Sequence, residues 1–293
     1  MWRHFCSSVR GTSHEAGGLR CQDASSLVFC GARADTMVLA LSDGAGSATH
    51  SEKGAALVVR IWCEYFSDLL ADRPDPASVL ESCTAATVGE ILHSVREAVA
   101  REAAALGAAP EDFSATLLGA VLTPYNALLA QVGDGCWVGL LEDRLSCLTW
   151  PLGGEFAGQT TFATSTSAVS ALQFVQLPRA PAALAGFTDG LERLLLDFQS
   201  RLPVAGFFRP TFDALSQNTP DFHKHMEAFL RSERVCALTD DDKSLALIVR
   251  APPKPQQEGC VPAARPDAAS ELPGEAPRSA PPAPPVFRAS DPR

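Results

Sequence analysis

Three apolar runs in this chain stop at Asp-Gly: residues 37–41 before Ser42-Asp43-Gly44, residues 127–132 before Gly133-Asp134-Gly135, and residues 182–187 before Thr188-Asp189-Gly190. A short apolar run closed by glycine reads as a buried strand, so each Asp is expected at a strand mouth. A fourth acidic cluster, Asp240-Asp241-Asp242, precedes the apolar run 244–249 and so marks the start of a strand. In antiparallel sheets strand starts and strand ends share an edge. Carboxylates crowded on one edge repel by about 1–4 kcal/mol per pair at contact distance unless cations lie between them. The pattern therefore points to a metal site.

The rest of the composition narrows the class. A length of 293 residues with 46% hydrophobic residues suits one large globular domain or two small ones. No stretch of about 18 apolar residues occurs, and the opening Met1-Trp2-Arg3-His4 leads into no signal-peptide core, so a soluble cytoplasmic protein with no membrane partner is expected. Nine cysteines without CxxC or Cys-His spacing argue against both a disulfide framework and a zinc site, and they read as reduced core residues. The net charge of −10 excludes nucleic acid as a natural partner. Charges in the last 43 residues or so cancel, so the acidity belongs to the part that folds.

Two domains of unequal kind follow: a folded domain over 1–250 and a Pro-rich tail over 251–293, too poor in large apolar residues to offset ordering entropy. The run Pro281-Pro282-Ala283-Pro284-Pro285 gives that tail a means of docking on a partner, although a plain extension explains it as well. Within the first domain, Thr49 and Glu52 resemble a capping box, and Ala55, Val58, Val59, Trp62, Tyr65, Phe66 and Leu69 recur at helical spacing. Asp75-Pro76 opens a second helix whose stripe runs through Val79, Leu80, Cys83, Leu92, Val95 and Val99 to Gly107. Strands over 115–122, 127–132, 136–141 and 145–150 follow as a meander, with Asp134-Gly135 and Glu142-Asp143-Arg144 as hairpin turns. Residues 191–234 read as a helix, a loop and another helix. This order is not an alternating βα pattern, so antiparallel sheets covered by helices are expected.

Taken together, the motifs resemble the metal-dependent protein phosphatase 2C family. They are Gly11-Thr12-Ser13-His14 with Cys21-Gln22-Asp23-Ala24, Ser42-Asp43-Gly44-Ala45-Gly46-Ser47, Phe113-Ser114-Ala115-Thr116, Val132-Gly133-Asp134-Gly135, Thr188-Asp189-Gly190-Leu191 and Asp241-Asp242-Lys243-Ser244. The Ser-His and Cys-Gln-Asp opening is similar to a bacterial branch. The resemblance covers about residues 1–250 and implies an α+β fold, a four-layer α-β-β-α sandwich of two mainly antiparallel sheets, with a two-metal centre at one sheet edge. It implies that Asp43 bridges both ions, that Gly44 adds a backbone carbonyl, that Asp189 and Asp241 complete one site and that Asp23 serves the other. Asp134 corresponds to the carboxylate of a weaker third ion. An all-oxygen donor set suits Mg²⁺ or Mn²⁺, which bring the pKa of a bound water from about 15.7 toward neutrality. The implied activity is hydrolysis of phosphomonoesters on serine and threonine of phosphoproteins, opposed by a cognate kinase.

Several readings stay open at this stage. Asp134-Gly135 is explained by a turn alone or by a turn with a metal. The family's phosphate-binding Arg corresponds to Gly18, leaving Arg20 and His14 as candidates for that contact, and His14 or His50 as candidates for the acid. Alignment on Ser244 selects Asp241 rather than Asp240 or Asp242. Two rival functions share the cleft: a pseudophosphatase that binds phosphoprotein without turnover, and a hydrolase of small phosphate esters.

Overall fold

The structure is a computed structural model that describes residues 2–31, 33–152 and 160–251. Nearly all of the predicted tail lies outside the described residues.

Two five-stranded antiparallel sheets form the centre of the fold. One orders β1 (Trp2–Val9), β12 (Lys243–Arg250), β9 (Ala183–Phe187), β6 (Cys136–Leu141) and β7 (Arg144–Cys147). The other orders β2 (Ala24–Cys30), β3 (Thr36–Ser42), β4 (Leu117–Leu122), β5 (Ala127–Val132) and β8 (Gln173–Leu177). A short pair, β10 (Leu196–Asp197) and β11 (Leu202–Pro203), stands apart. The helices are α1 (Thr12–Ala16), α2 (Ser51–Leu70), α3 (Pro76–Ser82), α4 (Ala85–Leu106), α5 (Glu192–Leu195), α6 (Ala205–Ser216), α7 (Phe222–Leu230) and α8 (Glu233–Cys236). No helix among the described residues is long and apolar enough to cross a membrane.

The two-residue period of the strands builds the layers. Along β3, Met37, Leu39 and Leu41 point between the sheets, while Val38 and Ala40 meet Val58, Trp62 and Phe66 of α2 and Val95 of α4. Along β12, Ala246 and Ile248 fill the space between the sheets, and Leu245 and Leu247 pack on Phe208 and Phe212 of α6. Strands covered on both faces read as unbroken apolar runs because neither face meets water. Each fully buried Leu, Ile or Met in these layers contributes about 1.5–3 kcal/mol relative to exposure. The α-β-β-α order expected from the sequence is the order found.

Three local expectations are corrected. The helix predicted from Asp75 to Gly107 is two helices: Cys83 is extended at ψ 142°, and Thr84 caps α4, its backbone N–H donating to Thr87 Oγ1 at 3.1 Å. The apolar stripe runs across this break because both helices pack on the same sheet. Thr49 does not cap α2; His50 holds the cap position, and Thr49 Oγ1 donates to Asp112. The Asp134-Gly135 turn is not a hairpin, since β5 pairs with β4 and β8 while β6 pairs with β9 and β7. Gly133 at φ 103° and Gly135 at φ 84° carry the chain from one sheet to the other.

Candidate metal centre

The edge where the chain crosses between sheets is also where β3 and β9 end and β2 and β12 begin. Asp43 follows β3, and its place is fixed by the backbone: its N–H donates to Thr116 Oγ1 at 2.9 Å, and its carbonyl accepts from Thr116 N at 2.8 Å. Asp23 precedes β2, whose first residue Ala24 pairs with Ser42, so Asp23 and Asp43 emerge side by side. Asp189 follows β9 in a 3₁₀ turn that runs into α5. Opposite it, Ser244 N donates to Thr188 Oγ1 at 2.9 Å and Thr188 N donates to Ser244 O at 3.2 Å, holding the start of β12 against the end of β9. Thr188 Oγ1 also donates across to Asp23 Oδ2 at 2.8 Å, tying the two sheets at this edge.

The carboxylates perturb one another as a cluster. Burial pushes Asp189 up to about 8, with further contributions from Asp134, Asp241, Asp23 and Glu192. Asp43 is held well above the usual carboxylate range by burial and by Asp23, Asp189 and Asp134. Burial, the largest cause, raises Asp23 to about 6. Asp134 is raised mainly by burial. Its Oδ2 accepts from Thr160 Oγ1 at 2.7 Å, but its Oδ1 is buried without a partner, as is Asp23 Oδ1. Two orphaned anionic oxygens at one edge are costly without a cation.

The cations nearby do not answer that need. Lys243 is fully buried, and its Nζ donates to the backbone carbonyl of Asp241 at 2.9 Å. No three His, Cys, Asp or Glu side chains converge on one ion position among the described residues. Hard divalent ions such as Mg²⁺ and Mn²⁺ retain several waters and need few direct protein ligands. Cys21 lies beside Asp23 and Asp242, and burial with those charges pushes its thiol up to about 12, so it offers no thiolate near neutral pH.

Asp240, Asp241 and Asp242 part ways at the start of β12. Asp241 joins the cluster, its charge acting on Asp189 and Asp134. Asp242 turns under the opening loop, where its carboxylate accepts from Gly11 N at 2.6 Å and Gln22 N at 2.5 Å. His14 on α1 places Nδ1 2.9 Å from Asp242 Oδ2, in ion-pair range but out of line for a hydrogen bond. Asp240 is exposed, and its backbone carbonyl accepts from both Ser13 N and Ser13 Oγ. Gly11 packs so tightly here that a Cβ would lie 2.3 Å from Asp240 O and from Asp241 C. Gly44 is similarly enclosed, a Cβ meeting Ser51 O at 2.7 Å. Arg20 is exposed, and His50 caps α2 against Phe113.

Sequence reasoning missed Glu192. Its Oε1 accepts from Gly135 N at 2.6 Å, and burial raises it to about 7, with Asp134 adding to the shift. The signal was its spacing, since Asp189 and Glu192 stand at i and i+3 on successive helical turns.

The cluster makes the metal-free fold sensitive to pH. Asp189 titrates near 3.8 when unfolded and near about 8 in the fold, so the folded state binds more protons in between. The resulting cost is absent below the first value and complete above the second. Metal-free protein in chelator is expected to lose on the order of 2 kcal/mol between pH 6 and 8.5. Thermal melts across that range check this, and a flat profile would show that the carboxylates are not in one field.

Residues 10–231 match the family described as protein phosphatase 2C. Serine/threonine-protein phosphatase 3 of Escherichia coli (strain K12) is 34% identical over 257 residues, covering 85% of this chain and 99% of that protein. Among solved structures, the catalytic domain of the serine threonine protein phosphatase PstP in complex with two manganese ions aligns with a TM-score of 0.54 at 17% identity, covering 86% of this chain and 99% of that one. Serine/threonine phosphatase Stp1 from Staphylococcus aureus aligns with a TM-score of 0.53 at 14% identity, covering 86% and 95%. These structural likenesses speak for the fold.

Proposed function

The chain belongs to the protein phosphatase 2C family, and from that premise we propose that its acidic edge is the active centre, loaded with two Mg²⁺ or Mn²⁺ ions and acting on phosphoserine and phosphothreonine of proteins. The enzyme is a metal-dependent serine/threonine protein phosphatase. The observation that carries the site assignment is the pair of orphaned buried oxygens, Asp23 Oδ1 and Asp134 Oδ1, within one field of mutually raised carboxylates.

Asp43, Asp189 and Asp241 would hold one ion together, in part through waters that it retains. Asp43, the Gly44 carbonyl and Asp23 would hold the other, and Asp134 with Asp189 a weaker third. When bound, such ions lower the pKa of water and neutralise phosphate oxygens, so no side-chain nucleophile is needed. The chain's own contribution is placement. Thr116 pins Asp43, Thr188 orients Asp23 across the sheets, and Gly135 N holds Glu192. Asp242 and His14 brace the loop that delivers Asp23, a positioning role for His14 beside the phosphate-contact and acid roles for which it is a candidate. Eight free cysteines among the described residues suit a reducing cytoplasm, where a kinase would phosphorylate the same substrates.

A phosphothreonine peptide assay with Mn²⁺ tests the reading. Turnover is expected with the metal and absent in EDTA, while native thiol alkylation leaves it largely intact. Full activity in chelator, or stoichiometric loss on labelling one Cys, would sink it.

A further inference from the structure

A cleft of about 580 Å³ is lined by Asp189, Asp240 and Asp241 together with Arg193, Phe198 and Leu238. Two of its walls are unusual for a phosphate site. Phe198 and Leu238 are large apolar side chains left 50% and 48% exposed. Phe198 is nevertheless fixed in place: its ring meets Trp150 edge-on at 5.6 Å, and Arg201 lies over the other ring at 4.9 Å. The turn that carries it is locked by Asp197, which accepts from Gln199 N at 2.9 Å, Ser200 N at 3.2 Å and Ser200 Oγ at 2.7 Å. Leu238 is held by the last turn of α8, its N–H donating to Val235 O at 2.9 Å. An exposed aromatic whose position is already set gives up little entropy on binding.

We propose that this cleft seats an apolar side chain of the protein substrate one or two residues from the phosphorylated Ser or Thr, with Phe198 and Leu238 as its contacts. The proposal rests on the carboxylate edge being the catalytic centre. Continuity selects the occupant: Phe198 and Leu238 line the same cleft as Asp189 and Asp241, and a chain whose phosphate lies at those carboxylates advances only about 3.3–3.6 Å per residue, so its adjacent side chains share that cleft. A small phosphate ester leaves these walls uncovered. Arg193 and Asp240 put one charge of each sign on the lining and Glu192 is engaged by Gly135 N, so beyond the ligand carboxylates the distinctive walls are Phe198 and Leu238.

The test compares Mn²⁺-loaded full-length enzyme on phosphothreonine peptides carrying Leu or Gly at each of the four nearest positions, with p-nitrophenyl phosphate as the substrate that cannot reach the walls. For at least one position, Leu is expected to raise kcat/KM roughly tenfold through KM, as burial of about two methylenes would. Phe198→Ser with Leu238→Ser should reduce that preference to within about twofold while p-nitrophenyl phosphate turnover is unchanged, and Phe198→Leu should keep it. No Leu preference in the wild type, or its survival in the double variant, would overturn the subsite. Equal loss toward p-nitrophenyl phosphate would also overturn it, since the residues would then be supporting the metal edge. If the wild type turns over neither peptide nor p-nitrophenyl phosphate, the catalytic reading itself fails.

Discussion

Asp43→Asn is expected to lower Mn²⁺-supported turnover of both phosphopeptide and p-nitrophenyl phosphate by on the order of a thousandfold or more, with the protein still folded. Asp43 is the residue on which the other carboxylates act: Asp23, Asp189 and Asp134 all raise it. An amide in its place keeps the shape but removes the charge that would attract two cations at once. The same change relieves repulsion in the metal-free protein, because Asp43 is half-buried beside like charges and its backbone is held independently by Thr116. Metal-free Asp43→Asn should therefore melt no lower than wild type, and higher by about 2–4 °C for each kcal/mol of repulsion removed. Adding Mn²⁺ should reverse the order, since a ligand stabilises only the fold that binds it. An active Asp43→Asn enzyme, or a variant that gains as much from Mn²⁺ as wild type, would remove Asp43 from the centre.

The strands that carry this site were legible in the sequence because both signals are local. An apolar run and the Asp-Gly that stops it need no knowledge of what packs above, and the mouths at Asp43 and Asp189 follow directly. What was not legible depends on pairing. Asp134-Gly135 between two apolar runs has the chemistry of a hairpin turn, yet β5 and β6 find their partners in different sheets. Only the competition of β4 and β9 for those edges decides it, and that is a tertiary outcome. The break at Cys83 was masked because one sheet buries both helices. Glu192 escaped because its function as an acceptor for Gly135 N exists only once the crossover turn is formed. The acidic triplet was half legible: its position before a strand was readable, but the division of labour among three neighbouring aspartates was set by the opening loop far away in sequence.

That division of labour gives the most discriminating comparison, because two adjacent carboxylates should fail in opposite ways. Asp241→Asn should resemble Asp43→Asn, folded and slower by on the order of a thousandfold, since Asp241 contributes charge to the cluster. Asp242→Ala should instead unfold more readily. Asp242 is buried, and its carboxylate receives the N–H groups of Gly11 and Gln22 with His14 beside it. Truncation leaves those donors without an acceptor at a position too tight for Gly11 to move, at a cost of about 3 kcal/mol and so a fall in Tm of about 6–12 °C. The rate per folded molecule would drop less, through misplacement of Asp23. Asp240→Asn should change both quantities little, because its side chain is exposed and its anchoring group is the backbone carbonyl. Melting temperature in chelator, read beside Mn²⁺-supported rate for all three variants, separates the roles. An inactive Asp240→Asn with a fully active Asp241→Asn would move the ligand by one residue, and an Asp242→Ala protein as stable as wild type would deny the brace.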